Sequence, residues 1–329
     1  KDGMVHLDYA WVDGLEAPLV RSKTKIVKEF NGIAPLWNFD GSSTEQATTS
    51  DSERVLQPVR VYKLHDRKFI VLCEVMHPDG TPHPSNHRNS LTSVINAVGT
   101  DKGLWLGYEQ EFFLTLNNKN ILWNEDGSEP VQDTRYYCSS GGPIRYRDLI
   151  SDFADTCNDM GIGVVGYNTE VSPGQWEYQV FGDDPIKAAD DLWVSRYLLQ
   201  LAAEEYGLGV DWHPKPHVGW NGSGMHTNFS TTKTRDVGGK ELFDKIIENA
   251  GSLHVHHMEQ FGPDNQMRMT GGFETSSYHK FSSGVASRAT SFRIPSATAR
   301  TWKGYAEDRR PSSNCDPYRV TKCVFEYVV

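Results

Sequence analysis

No apolar run in the sequence approaches the ~18 residues that a membrane-spanning helix requires, and the opening stretch KDGMVHLDYAWVDG lacks signal-peptide architecture. The chain opens at Lys1 without an initiator methionine, so further residues upstream are expected. Cysteine is sparse: Cys73, Cys138, Cys157, Cys315 and Cys323 are odd in number, scattered, and form no CxxC pair. That pattern excludes a disulfide framework and a zinc ribbon and fits a reducing, cytoplasmic setting. Basic clusters are missing as well. With a formal net charge of -10, neither nucleic acid nor a membrane surface is an expected partner, which leaves a small molecule. Neither GxxxxGK[ST] nor the kinase signature set occurs, so a bound nucleotide would have its phosphates held by metal ions and arginines. Internal repeats and low-complexity segments are also absent.

What remains is an ordinary globular composition, 38% hydrophobic and 23% charged over 329 residues, enough for one or two domains. Val5, Leu7, Tyr9 and Trp11 alternate with His6, Asp8 and Ala10, the pattern of a strand, and Asp13-Gly14 supplies a turn. A second unit runs through Val61, Tyr62 and Leu64, turns at His65-Asp66 and returns as Phe69–Val75. The first eighty or so residues therefore read as a small sheet-rich domain. Between these strands, WNFDGSSTEQATTSDSERV reads as a polar surface loop whose short side chains could also line a site. His77–Ser90, with three prolines, reads as a linker. Helices are expected over Tyr146–Met160, over Pro185–Tyr206 with Asp184 as N-cap, and over Glu241–His257. The second is expected to be long and amphipathic. On the third, His254, His256 and His257 read as a solvated face, because adjacent residues project in different directions. Strands are expected at Leu104–Leu114, Gly163–Gly166, Trp176–Val180, His226–Phe229 and Ser291–Ile294.

The chemistry centres on YEQEFFL, Tyr108–Leu114. In a strand, Glu109 and Glu111 leave the same face, roughly 7 Å apart. Alone, such a pair is more simply an exposed strand edge. Downstream, however, stand Glu170, Glu177, His226 and Glu307. Five carboxylates and a histidine are too many for one metal ion and suit two hard divalent cations, with water or phosphate completing their shells. The glycines of Asn221–Phe229, NGSGMHTNF, let backbone approach a ligand closely. Arg268, Arg288, Arg293, Arg309 and Arg310 occur in Gly- or Pro-rich contexts, as expected for neutralising a transferring phosphoryl group and capturing a carboxylate.

Taken together the motifs resemble the glutamine synthetases, of the shorter type II class. They are WNFDGSST (Trp37–Thr44), YEQE (Tyr108–Glu111), NTEVSPGQWEYQ (Asn168–Gln179), HPKP (His213–Pro216), NGSGMHTNFST (Asn221–Thr231), ETS (Glu274–Ser276), SGVASR (Ser283–Arg288), FRIP (Phe292–Pro295) and YAEDRRPSSNCDPY (Tyr305–Tyr318). They run in family order across almost the whole chain. The resemblance implies an α+β fold, with a β-grasp domain over residues 3–82 and a catalytic domain, a sheet flanked by helices, over 88–329. Each active site would lie between neighbouring subunits of a ring, in a homo-oligomer of two stacked pentamers. It implies ATP-dependent synthesis of glutamine from glutamate and ammonium through a γ-glutamyl phosphate, with two or three Mg2+ or Mn2+ ions per site.

Carried over by motif, Glu111, Glu170 and Glu177 would hold one ion, and Glu109, His226 and Glu307 the other. Arg268 and Arg309 would bind glutamate, with Asn221 and Gly222. Arg288 and Arg293 would meet the ATP phosphates, near Asn228, Ser230 and Tyr305. Asp40, from the adjacent subunit, would take a proton from ammonium, while Glu274 would close the site and receive the next. Two positions depart from the class: Met267 where an arginine is usual, and Phe273 where a histidine is usual. No counterpart of the adenylylated loop of type I enzymes is visible. A ligase for a larger amine would keep the ATP and metal residues but not Asp40 and Glu274, and a non-catalytic relative would have lost metal ligands.

Overall fold

The computed structural model describes residues 3–123, 126, 128–130, 134–142 and 144–328. In its first part, β1 (Val5–Val12), β2 (Val20–Val27), β3 (Trp37–Asp40), β4 (Glu53–His65) and β5 (Lys68–Met76) form one sheet in the order β2-β1-β5-β4-β3. β1 and β5 run parallel and the other pairs antiparallel. Leu7, Tyr9 and Trp11 pack with Phe39, Leu56 and Val71, as their alternation predicts. Asp8 and Ala10 on the other face of β1 are buried too. Part of the segment read as a surface loop is the edge strand β3, paired with β4 in the register Trp37↔Leu56. Beyond it Thr44 and Gln46 are buried, and Gln46 Nε2 donates to Val12 O at 3.0 Å.

The rest of the chain runs α1 (His87–Val98), β6 (Trp105–Leu116), β7 (Lys119–Asn120), α2 (Arg147–Asp159), β8 (Val164–Thr169), β9 (Gln175–Gly182) and α3 (Pro185–Glu205). It continues β10 (Gly209–Asp211), β11 (Met225–Ser230), α4 (Lys240–Ser252), α5 (His254–Met258), α6 (Asn265–Arg268), β12 (Ser283–Val285), β13 (Phe292–Ile294), α7 (Ser296–Thr301), β14 (Ala306–Asp308) and α8 (Pro317–Tyr327). The expected linker is therefore shorter, since α1 already begins at His87. A second sheet has the path β12-β13-β14-β11-β6-β9-β8, with β7 and β10 also on β6. The five strands expected here all form, as β6, β8, β9, β11 and β13. Tyr108, Phe112, Tyr178, Val180, Met225 and Phe229 share a core with residues of α1, α2, α3 and α8. The opposite face of the same strands is left for polar side chains.

Two helix expectations are corrected. α3 is capped by Asp184, whose side chain accepts from Lys187 N–H, but it is not amphipathic. It is buried on nearly every side from Ala188 to Leu199, because it lies between the two sheets. Its acidic residues are paired there. Asp190 accepts from Arg60, Arg88 and Tyr318, and Asp191 from Tyr62. The third helix breaks at Leu253 into α4 and α5, and its histidines are not a solvated face. His257 is buried and bonds Glu326 at 2.9 Å, and His254 is buried between Tyr278 O at 3.0 Å and Arg310 at 3.1 Å. Only His256 of the three is exposed. Among the described residues no helix is long and apolar enough to cross a membrane.

Candidate active site

The site is a product of strand register. β6 pairs Glu111 with Glu177 of β9, and on its other side Glu109 with His226 of β11. β11 then places Asn228 opposite Glu307 of β14, and β14 places Glu307 opposite Arg293 of β13. Directly opposed residues project to the same face, so the apolar residues that alternate with these turn into the core while the ligand candidates gather on the other side. There they border a cavity of about 370 Å³.

Of the candidates from the sequence, Glu109, Glu111, Glu170, Glu177, Asn221, Gly222, His226, Arg268, Glu274, Arg288 and Arg309 line this cavity. Glu307 is buried against it, 3.2 Å from His226 Nδ1 and 3.1 Å from Arg309 Nη1, with Arg293 Nη1 at 3.4 Å. Asn228, Ser230 and Tyr305 do not line it, nor does Asp40, which is exposed on the first sheet. Arg310 does not belong with the other arginines. It is fully buried and grips Asp308 through Nε and Nη2, both at 2.9 Å.

Sequence reasoning passed over Gln175, Asn168 and Gln179. Gln175 Nε2 donates to Glu111 Oε2 at 2.8 Å and to Gly222 O at 3.0 Å, so it orients one carboxylate and ties it to the glycine loop. Gln179 Nε2 donates to Asn168 Oδ1 at 3.0 Å, and both line the cavity. A signal for the glutamines was present: Gln175, Glu177 and Gln179 alternate along one strand face.

The electrostatics divide the carboxylates into two sets. Burial, then Glu170 and Glu177, raise the Glu111 carboxyl well above its ordinary range. Burial, then Glu109 and Glu170, push Glu177 up to about 9. Glu170 is raised as well, chiefly by burial. Glu307 goes the other way. Burial opposes its ionisation, but the His226 hydrogen bond with the Arg309 and Arg293 charges outweighs that and holds it at about 2. One half of the site thus holds carboxyls whose ionisation is opposed by burial and by one another more than the Arg268 charge offsets, and the other is arranged around a histidine.

This donor set fits divalent cations. Among the described residues Glu109, His226 and Glu307 each offer a ligand atom, all within 4.8 Å of one another. Glu111, Glu170 and Glu177 close less tightly, and their raised pKa values are what a cluster built for a cation shows without one. Nearby, Nε of Arg293 and of Arg309 are buried without a partner among the described residues, two donors suited to an anionic oxygen.

Residues 86–256 match the catalytic domain of glutamine synthetase. A glutamine synthetase of Yarrowia lipolytica is 42% identical over 334 residues, spanning 99% of this chain and 91% of the relative. One of Bradyrhizobium diazoefficiens is 41% identical over 338 residues, spanning 98% and 95%. The chain belongs to the glutamine synthetase family. A cryo-EM structure of Plasmodium falciparum glutamine synthetase shares the fold, with a TM-score of 0.77 at 19% identity over 98% of this chain and 71% of that one. In this glutamine synthetase fold, two loops form the rim of the cavity. Gly222 is required on the first, since a Cβ there would lie 2.1 Å from Pro214 O. The second carries Glu274, whose carbonyl accepts from Arg309 Nη2 at 3.0 Å and whose Oε2 accepts from Asn221 Nδ2 at 3.4 Å.

Proposed function

We propose that the chain makes glutamine from glutamate and ammonia with ATP, through a γ-glutamyl phosphate, at a two-cation site. The observation that carries this reading is the strand register, which gathers Glu109, Glu111, Glu177, Glu307 and His226 on one sheet face, with Glu170 just past β8, Arg268, Arg288 and Arg309 lining the same cavity, and Arg293 against Glu307. Glu111, Glu170 and Glu177 would hold one Mg2+ or Mn2+ ion and Glu109, His226 and Glu307 another. Such cations offset the charge that accumulates when a polyphosphate meets an anionic acceptor.

The protein's own groups do the rest. Arg268 is fixed by Asn265 at 2.9 Å and by the carbonyl of Arg310 at 2.8 Å, so it presents a guanidinium already oriented for a carboxylate. With Arg309, Asn221 and Gly222 it would hold glutamate. Arg288 and Arg293 would hold the phosphates, with Asn228, Ser230 and Tyr305 towards the rest of the nucleotide. Ammonium must be collected as a cation and then deprotonated, and a carboxylate does both. Asp40 suits that role: hydrogen bonds from Ser42 and Ser43 lower its pKa and keep it ionised. Because it does not line the cavity of its own chain, it would serve a neighbouring copy, in a decamer of two pentameric rings. Glu274 would close the site and take the second proton.

Residues 3–82 and 88–329 would be the two domains, a division supported by their separate sheets. Five cysteines that are all free support a cytoplasmic setting.

An amine panel tests the function. With ATP, glutamate and magnesium, ammonium should give glutamine and phosphate in equal amounts. Glu274→Ala should keep releasing phosphate, yield disproportionately little glutamine, and be partly rescued by hydroxylamine, which is neutral at pH 7. Faster amide formation with a larger amine than with ammonium would transfer the chain to the other ligase class.

A further inference from the structure

Residues 270–278 form a compact turn. Thr270 and Ser277 meet as a β-bridge, and Thr275 Oγ1 donates to Gly272 O at 2.6 Å. At its apex Phe273 and Glu274 have φ of 51° and 60°, a left-handed conformation that non-glycine side chains disfavour. Two such residues in succession persist only where surrounding contacts hold them. Glu274 is held by Arg309 and Asn221. Phe273 has a different partner, the Lys215 ammonium, 3.8 Å from its ring centroid.

Lys215 is unusual for a lysine. It is only 5% exposed, and burial together with the neighbouring Arg268 charge lowers its pKa, so its cationic form needs compensation on the spot. Trp220 O accepts from Nζ at 2.6 Å, and the Phe273 ring supplies a π face. Lys215 cannot drift from this position. It lies on the same loop as Gly222, whose backbone packs on Pro214 O, and Ser223 N–H donates to Pro214 O at 2.8 Å. Opening the turn would strip the ring from a buried cation. The turn, whose Phe273 and Glu274 line the cavity, and the lysine therefore stabilise each other.

We propose that Lys215 and Phe273 form a latch that holds the Glu274 turn closed over the cavity, as positioning residues rather than catalytic ones. The consequence for turnover rests on the glutamine-forming reading of the site. If the latch is weakened, water reaches the γ-glutamyl phosphate. Its oxygen replaces the phosphate oxygen at the acyl carbon, and glutamate, phosphate and a proton leave in place of glutamine.

The test uses Lys215→Met, which keeps the stem without the charge, Phe273→Leu, which keeps apolar bulk without the π face, and Phe273→Tyr, which keeps both. Hydrogen exchange of amides 271–278 in the ligand-free protein should quicken by roughly two- to thirtyfold in the first two, the range a contact of this kind supports, and stay near parental in the third. Glutamine formed per phosphate released should follow the same order. The double variant Lys215→Met with Phe273→Leu should be no worse than either single change, since both remove one contact. Phe273 is 39% exposed, so its replacement tests the latch even where Lys215→Met misfolds. Unchanged exchange in Phe273→Leu, or effects that add in the double variant, would overturn the latch. A parent chain that makes no glutamine would instead overturn the functional reading, while the exchange result still judges the latch.

Discussion

Glu177 shows most directly what the cavity costs the folded chain. In the unfolded chain this carboxyl titrates near its ordinary 4.5, whereas burial with Glu109 and Glu170 takes it to about 9. Between those values the folded state keeps a proton that the unfolded state has released. The group's contribution to stability is therefore full below pH 4.5 and is lost as pH rises towards 9. At the proposed two-cation site a divalent cation would replace that proton and remove the deficit. The melting temperature of metal-free protein should accordingly fall between pH 6 and 9, and the gain on adding magnesium should grow over the same interval. Glu177→Gln should flatten both trends. Calorimetry with chelator or with magnesium measures them, and a magnesium gain that survives Glu177→Gln would take the cation away from this carboxylate. Glu307 does not contribute to this trend. Its folded pKa of about 2 means that its stabilisation is lost only as pH falls from 4.5 towards 2.

At the scale of elements, the site depends on loops and strands meeting at van der Waals distance, and Gly222 is where that is tightest. A Cβ there would lie 2.1 Å from Pro214 O and 3.0 Å from Arg268 Cγ, so alanine must displace either the backbone or the proposed glutamate-binding arginine. Gly222→Ala should raise KM for glutamate at least about tenfold, on the scale of small misplacements at a site. Gly142→Ala, where nothing among the described residues lies within 4 Å of the added Cβ, should change neither KM nor the melting curve. Equal KM values for the two variants would show that the loop tolerates the shift. The strands behind this geometry could be read from the sequence because period two is local: Glu109 and Glu111 alternate with Tyr108, Gln110 and Phe112 whatever lies elsewhere. α3 could not be read in the same way. Asp190 and Asp191 look solvent-facing until Arg60 and Tyr62 arrive from the first sheet and Arg88 from α1. His254 and His257 were misread for the same reason, their partners Arg310 and Glu326 lying far along the chain. β2 was missed because lysines at Lys23 and Lys25 mask an edge strand in a sequence read only for apolar alternation.

Across the whole molecule, the two sheets are held at several points. Asp190 joins Arg60 of β4 to Arg88 of α1, Tyr62 of β4 donates to Asp191 at 2.6 Å, and Tyr197 of α3 donates to Asp8 of β1 at 3.0 Å. These ties are buried or partly buried, and breaking a buried charged network typically costs about 3–5 kcal/mol, so the first sheet is not free to swing over the cavity of its own chain. Asp40 ends the edge strand of that sheet, exposed, with its carboxylate held by Ser42 and Ser43. A base in that position reaches a reacting amine only if another copy presents its cavity to it, through a head-to-tail contact that closes into a ring. Mixing two dead chains decides this. Asp40→Ala keeps the proposed metal residues and loses the proposed base, while Glu111→Ala keeps that base and loses a proposed ligand. In rings assembled at random from equal amounts, half of the sites have an intact cavity, and half of those face an intact Asp40. Activity should therefore recover to about one quarter of the parental value, while each variant alone stays inactive. Mass measurement of intact rings must confirm that both chains are present. If verified mixed rings remain inactive although each parent assembles normally, Asp40 does not work across the interface, and the base for ammonium must be sought within the chain that holds the cavity.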